Sequence, residues 1–88
     1  MKIKNGFILR EVAGSYVVVA VGERSKEFNG MVNLNASGAF LWRTLEQGAD
    51  REGLIEALLA NYDVSKEQAT EDVDGFIAKI TASDFVEV

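Results

Sequence analysis

The 88-residue sequence has no cysteine and no histidine. Without cysteine there are no disulfides, no thiolate zinc sites and no thiol nucleophiles. Without histidine the commonest general base and metal ligand is missing too. Any catalysis would have to rest on carboxylates, lysine, tyrosine or serine, so the expectation is a non-enzyme with no cofactor and no bound metal. Long apolar runs are also lacking. The longest, Tyr16 to Val21, has the length of a strand and is far too short to span a membrane. Met1-Lys2-Ile3-Lys4 is followed by no apolar h-region, so no signal peptide is expected and the cytoplasm is the expected location.

What is present is a chain of one-domain length, 48% apolar, in which residues 1–88 form a single unit with a thin core. Its net charge of −5 is unevenly spread. Residues 1–30 carry five basic and three acidic side chains, a net +2, whereas residues 31–88 carry four basic and eleven acidic ones, a net −7. The second half would repel nucleic acid and accept a basic partner surface.

The organising stretch is Gly30 to Trp42. Val32 and Leu34 alternate with Met31 and Asn33, the period of a strand. Asn35 follows as an N-cap, and Gly38, Leu41, Trp42 and Leu45 then fall on one helical stripe. Before this junction the sequence reads as β structure. Phe7–Val12 is a first strand, with Phe7 and Leu9 on one face and Ile8, Arg10 and Val12 on the other. Ala13-Gly14-Ser15 is a tight turn. Tyr16–Val21 is a second strand, apolar on both faces: a covered central strand, a half-covered one, or a self-association face. Glu23–Glu27 reads as a charged loop, Phe28 as a side chain tucked onto the core, and Asn29-Gly30 as a type I′ turn into the third strand.

After the junction come helices. The first runs from about Ala36 to Gln47, with Gly48 at C′. Asp50 caps a second that carries Leu54, Ile55, Leu58 and Leu59. Ser65 and Gln68 form the ends of a capping box for a third. That helix places Ala69, Val73, Phe76, Ile77 and Ile80 on one stripe and Glu67, Glu71, Asp74 and Lys79 opposite. Gly75 sits inside it at a cost of about 1 kcal/mol, and permits close approach by another segment. Phe85–Val88 is a terminal strand or docked tail. The outline is α+β: a three-stranded antiparallel sheet followed by three helices, winged-helix-like, with sequential strand order that leaves the third strand at an edge.

The words Val32-x-Leu34-Asn35-x-x-Gly38-x-x-Leu41-Trp42, Gly48, Leu54-Ile55-x-x-Leu58, Tyr62-x-Val64 and Asp72-Val73-x-x-Phe76-Ile77-x-x-Ile80, closed by Phe85-Val86-Glu87, resemble the PqqD-like family of peptide-binding modules, also called RiPP recognition elements. The resemblance covers residues 30–88. The chain departs from the family pattern in having no proline, and in having Asp50 where many relatives have threonine. The resemblance implies a non-catalytic peptide chaperone. Such a module binds the leader segment of a ribosomally made precursor peptide by β-strand addition. It presents the peptide to a modifying enzyme, often a radical SAM enzyme, in PQQ biosynthesis or another such pathway. It further implies a peptide site made of Gly30, Met31, Val32, Asn33 and Leu34 on the third strand, walled by Val73, Phe76, Ile77 and Ile80, with Lys79 able to meet an acidic leader residue.

Each of these residues also has a plainer reading. Phe76, Ile77 and Ile80 fit a core stripe, Trp42 is a core anchor rather than a ligand platform, Asp72 is a surface acid or half of an ion pair, and Lys79 is a solvated lysine. Met31 faces away from Val32 and Leu34 as a soft partner contact. Glu71, Asp72 and Asp74 do not assemble a calcium loop, because Asp72 lies about 100° round the helix from Glu71 and no glycine turn follows. About three or four edge hydrogen bonds at 0.5–1.5 kcal/mol each fall short of the 8 kcal/mol of micromolar affinity, so apolar side chains must enter a slot beside the third helix. Two competing functions remain. A winged-helix DNA-binding domain is disfavoured by a third helix of net −2, since Lys66 and Lys79 face Glu67, Glu71, Asp72 and Asp74. A structural dimerisation subunit would use Tyr16–Val21. The oligomeric expectation is a monomer or weak homodimer.

Overall fold

The computed structural model describes residues 1–26 and 31–87. These form β1 (Lys2–Ile3), β2 (Phe7–Val12), β3 (Ser15–Ala20), a 3-10 helix (Gly22–Lys26), β4 (Met31–Leu34), α1 (Ala36–Glu46), α2 (Arg51–Asn61), α3 (Lys66–Ala82) and β5 (Val86–Glu87). The architecture is α+β. A three-stranded antiparallel sheet of order β2-β3-β4 precedes three helices, and β1 pairs with β5 in a separate ribbon. No helix among the described residues is long and apolar enough to cross a membrane.

Local chemistry accounts for most of the boundaries. Ala13 and Gly14 both take positive φ (+52° and +81°), which is what a two-residue hairpin between Val12 and Ser15 requires. Asn35 Oδ1 accepts from the Gly38 amide at 2.8 Å and Asp50 Oδ1 from the Gly53 amide at 2.8 Å, so both expected N-caps form. Ser65 Oγ accepts from the Gln68 amide at 3.1 Å, the N-cap half of the capping box, and the Gln68 side-chain NH2 donates to Asp72 at 2.9 Å. Gly48 lies at φ +91° just past α1, the left-handed position that a C′ glycine fills without strain.

The core joins one face of the sheet, through Phe7, Val18 and Leu34, to the inner stripes of all three helices. Trp42 and Phe85 are fully buried and meet edge to face with ring centroids 5.8 Å apart, while Phe85 also packs on Phe7 at 4.6 Å. This aromatic cluster fastens the C-terminal strand, and Lys4 closes it from outside through a 2.7 Å bond to Asp84. Several expectations change. Residues 22–26 are a 3-10 helix rather than an open loop. The second strand begins at Ser15 and ends at Ala20. Leu59 is exposed on α2, because one helix side buries only Leu54, Ile55 and Leu58. Strand β1 has too few residues to show a period. Phe28 and the Asn29-Gly30 turn lie outside the described residues.

Candidate functional site

The site begins with the free side of β4. Among the described residues β4 pairs in the sheet with β3 alone, in the register Val19↔Met31, Val18↔Val32, Val17↔Asn33 and Tyr16↔Leu34. Antiparallel ladders alternate residues whose N–H and C=O point at the neighbour with residues whose groups point away. The Val21 amide donates to the Gly6 carbonyl at 2.8 Å, which fixes the alternation. Odd-numbered residues of β3 face β2, even-numbered ones face β4, and Val32 and Leu34 pair with Val18 and Tyr16. Met31 and Asn33 therefore turn their main-chain groups outward. Lys79 shows the same parity independently: its Nζ reaches across from α3 and donates to the Asn33 carbonyl at 2.5 Å.

Next to this edge is a cleft of about 340 Å³. Its β4–α1 side is built from Leu34, Asn35, Ser37, Gly38 and Leu41, and its α3 side from Glu71, Asp72, Gly75, Phe76 and Lys79. Leu34, Leu41 and Phe76 give it an apolar floor. Glu71 and Asp72 stand at the end nearer the start of α3, and Lys79 two turns further along. The sequence explains why the α1 side is recessed. Gly38 is buried, and a Cβ there would meet Asn35 Oδ1 at 3.0 Å and Leu34 Cβ at 3.4 Å. The first turn of α1 can therefore close down on the end of β4 only because position 38 has no side chain.

The residues expected at the site separate into groups. Met31, Val32, Asn33 and Leu34 form the edge, with Met31 65% exposed and Leu34 buried in the cleft floor. Gly30 lies outside the described residues. The expected wall of Val73, Phe76, Ile77 and Ile80 is corrected: Val73 and Ile80 are fully buried in the core, and Ile77 is half-buried against it and does not line the cleft. Of the four, Phe76 alone reaches the cleft. The reason is rotational. The stripe through 69, 73, 76 and 80 points at α1 and α2, whereas the cleft wall is the next strip round the helix, at 72, 75, 76 and 79. Lys79 is exposed, and its Nζ also donates to the Asn33 carbonyl at the strand edge. Asp72 accepts from the Gln68 side chain and has no basic partner among the described residues. Gly75, Glu71 and Leu41 were not among the expected site residues. The mid-helix glycine at the border of the apolar and acidic faces was the one sequence signal for them.

Behind the cleft α3 is held in place by charge. Arg51, at the start of α2, grips Asp74 with both ends of its guanidinium, at 2.7 and 3.1 Å. The hydrogen bond and the positive charge hold the Asp74 carboxyl below its ordinary pKa. Among the described residues no three acidic side chains converge to hold a metal ion. What the arrangement can do is hydrogen-bond an extended segment along Met31 and Asn33 and receive one of its side chains.

A family model described as coenzyme PQQ synthesis protein D (PqqD) matches residues 8–86. No curated protein matches the chain. Among solved structures the chain is similar to TbiB1 in complex with the TbiA(beta) leader peptide, at 22% identity and a TM-score of 0.78, covering 99% of this chain and 95% of that one. It is also similar to lasso peptide synthetase B1 complexed with the leader peptide, at 15% identity and a TM-score of 0.72, covering 93% and 91%. At these identities the structural likeness is one of fold.

Proposed function

The chain belongs to the PqqD family, and from that premise we propose that it is a non-catalytic module that binds the leader segment of a ribosomally made precursor peptide by strand addition to β4. The observation that carries this reading is the coincidence of an unpaired strand edge with a partly apolar cleft beside it. Either alone would be weak. Two outward residues offer at most four backbone bonds, about 2–6 kcal/mol before ordering costs. One apolar side chain seated in the cleft adds about 1.5–3 kcal/mol, which brings the sum to about 3.5–9 kcal/mol before ordering costs, and only the upper end of that range reaches the roughly 8 kcal/mol of micromolar binding. Both solved relatives named above hold leader peptides, which supports the choice of guest.

In this reading the bond from Lys79 to Asn33 is the resting state of the edge. A lysine there discourages pairing with the wrong strand. The guest displaces it, and the freed ammonium turns to an acidic side chain or the carboxylate end of a guest dipole. The peptide site consists of Met31, Val32, Asn33, Leu34, Phe76 and Lys79. The bound peptide is handed to a modifying enzyme, a radical SAM enzyme or one of another class, in the cytoplasm. The lack of histidine and cysteine suits a module that presents a substrate and leaves the chemistry to its partner.

The test is titration of the ¹⁵N-labelled chain with the leader segment of a precursor peptide encoded beside its gene, followed amide by amide. The largest shifts are expected at residues 31–34 and 71–79. Shifts confined to α1, or none at saturating peptide, would overturn the proposal.

A further inference from the structure

Gly75 lies inside the 17-residue helix α3, where glycine is the least favourable residue apart from proline. Other glycines in this chain have evident reasons for being glycine. Gly6, Gly14, Gly22 and Gly48 take positive φ, and a Cβ added at Gly38 or Gly53 would come within 3.0 or 3.3 Å of the N-cap oxygen. Gly75 has neither. Its backbone is helical, and a Cβ placed on it would meet no atom within 4 Å. Nothing in the fold calls for the missing side chain, and the empty space belongs to the cleft beside β4.

We propose that Gly75 is the specificity-determining residue of that cleft, kept bare so that a bulky apolar side chain of the guest peptide can lie across α3 at this point. The inference rests on the peptide-binding reading and names the feature the guest must carry. An extended segment paired along Met31 and Asn33 presents every second side chain to the helix side of the sheet. One of these falls over the apolar floor of Leu34, Leu41 and Phe76, beside Gly75. Those neighbours are apolar, and the acids and Lys79 flank them a turn to either side. A long aliphatic or aromatic side chain fits that setting, whereas a small or charged one leaves the apolar floor uncovered.

Two measurements on the full chain decide it. In thermal denaturation Gly75→Ala is expected to raise Tm by about 4 °C or more, because a better helix former replaces glycine at no steric cost. A lower Tm would show that the glycine serves the fold and would overturn the inference. In the second, a random 12-residue peptide library presented by mRNA display is selected on the wild-type chain. The recovered peptides are measured against wild type, Gly75→Ala and Gly75→Leu. Selected peptides are expected to share one bulky apolar residue, to bind Gly75→Ala about threefold more weakly and Gly75→Leu at least tenfold more weakly. Alanine in place of their anchor should erase the difference between the variants. If Gly75→Leu does not fold, the Gly75→Ala arm decides alone. Peptides that bind all three chains equally would overturn the inference while leaving peptide binding intact. Failure to recover any binder on the wild-type chain would overturn both.

Discussion

Strands β2 and β4 are the two outer strands of one sheet, and each leaves a row of main-chain groups that the sheet does not pair. By the alternation fixed at Gly6 and Val21, the outward residues of β2 include Leu9 and Glu11, and those of β4 are Met31 and Asn33. The β2 edge is the longer, yet it ends in the exposed Arg10, Glu11 and Val12, and none of its residues lines the cleft. The shorter β4 edge has α3 beside it with a slot between, and a lysine from that helix rests on its carbonyl. The difference teaches that an unpaired edge is a capacity, common to most sheets. It becomes a site when a second element supplies somewhere for side chains to go.

Proline substitution gives the sharpest way to break this comparison. Asn33→Pro removes an outward N–H and leaves the ladder with β3 intact, so the fold is expected to persist while leader binding weakens by about tenfold in calorimetric titration. Glu11→Pro makes the same change on the other edge and is expected to alter binding by less than twofold. Equal effects from the two would mean that the edges are equivalent. A smaller effect is expected from Lys79→Met, which keeps the aliphatic stem and removes the charge. With the Asn33 carbonyl released and the edge unguarded, sedimentation should show more self-association, and affinity for a guest without an acid should rise about two- to fivefold, the scale of one exposed hydrogen bond.

The smallest effect comes from acid. Asp74 and Asp84 both have folded-state pKa values lowered, by the hydrogen bonds from Arg51 and Lys4 respectively. Their contribution to stability is therefore complete above the ordinary aspartate pKa and is lost as pH falls through the lowered folded-state values. Both pairs are solvent-exposed, so the loss is modest and shrinks further in salt. Urea titrations below pH 4 should show it. Asp74→Asn should remove part of the pH dependence while leaving both strand edges as they are.

Much of the fold is legible in the residues. Alternation in Phe7–Val12 and Met31–Leu34, the caps Asn35, Asp50 and Ser65, and the turn at Gly14 are local features, and the structure places each close to where the pattern does. The short ribbon of β1 and β5 is different. Two residues have no measurable period, and they pair because Phe85 buries itself between Phe7 and Trp42, three segments distant in sequence. The site was half legible. The edge strand followed from order and spacing, but the helix wall did not: a hydrophobic stripe marks which residues of α3 are apolar, and the best of them, Val73 and Ile80, were taken by the core.

The sequence by itself determined the longer strands and the three helices, their caps and the acidic character of the helical half, because each depends on neighbours a few residues away. Only the tertiary structure decided which strip of α3 faces the open edge. The rotation of a helix about its axis is set by everything it packs against at once, and here the core claims 73 and 80 and leaves Gly75, Phe76 and Lys79 facing the cleft beside β4.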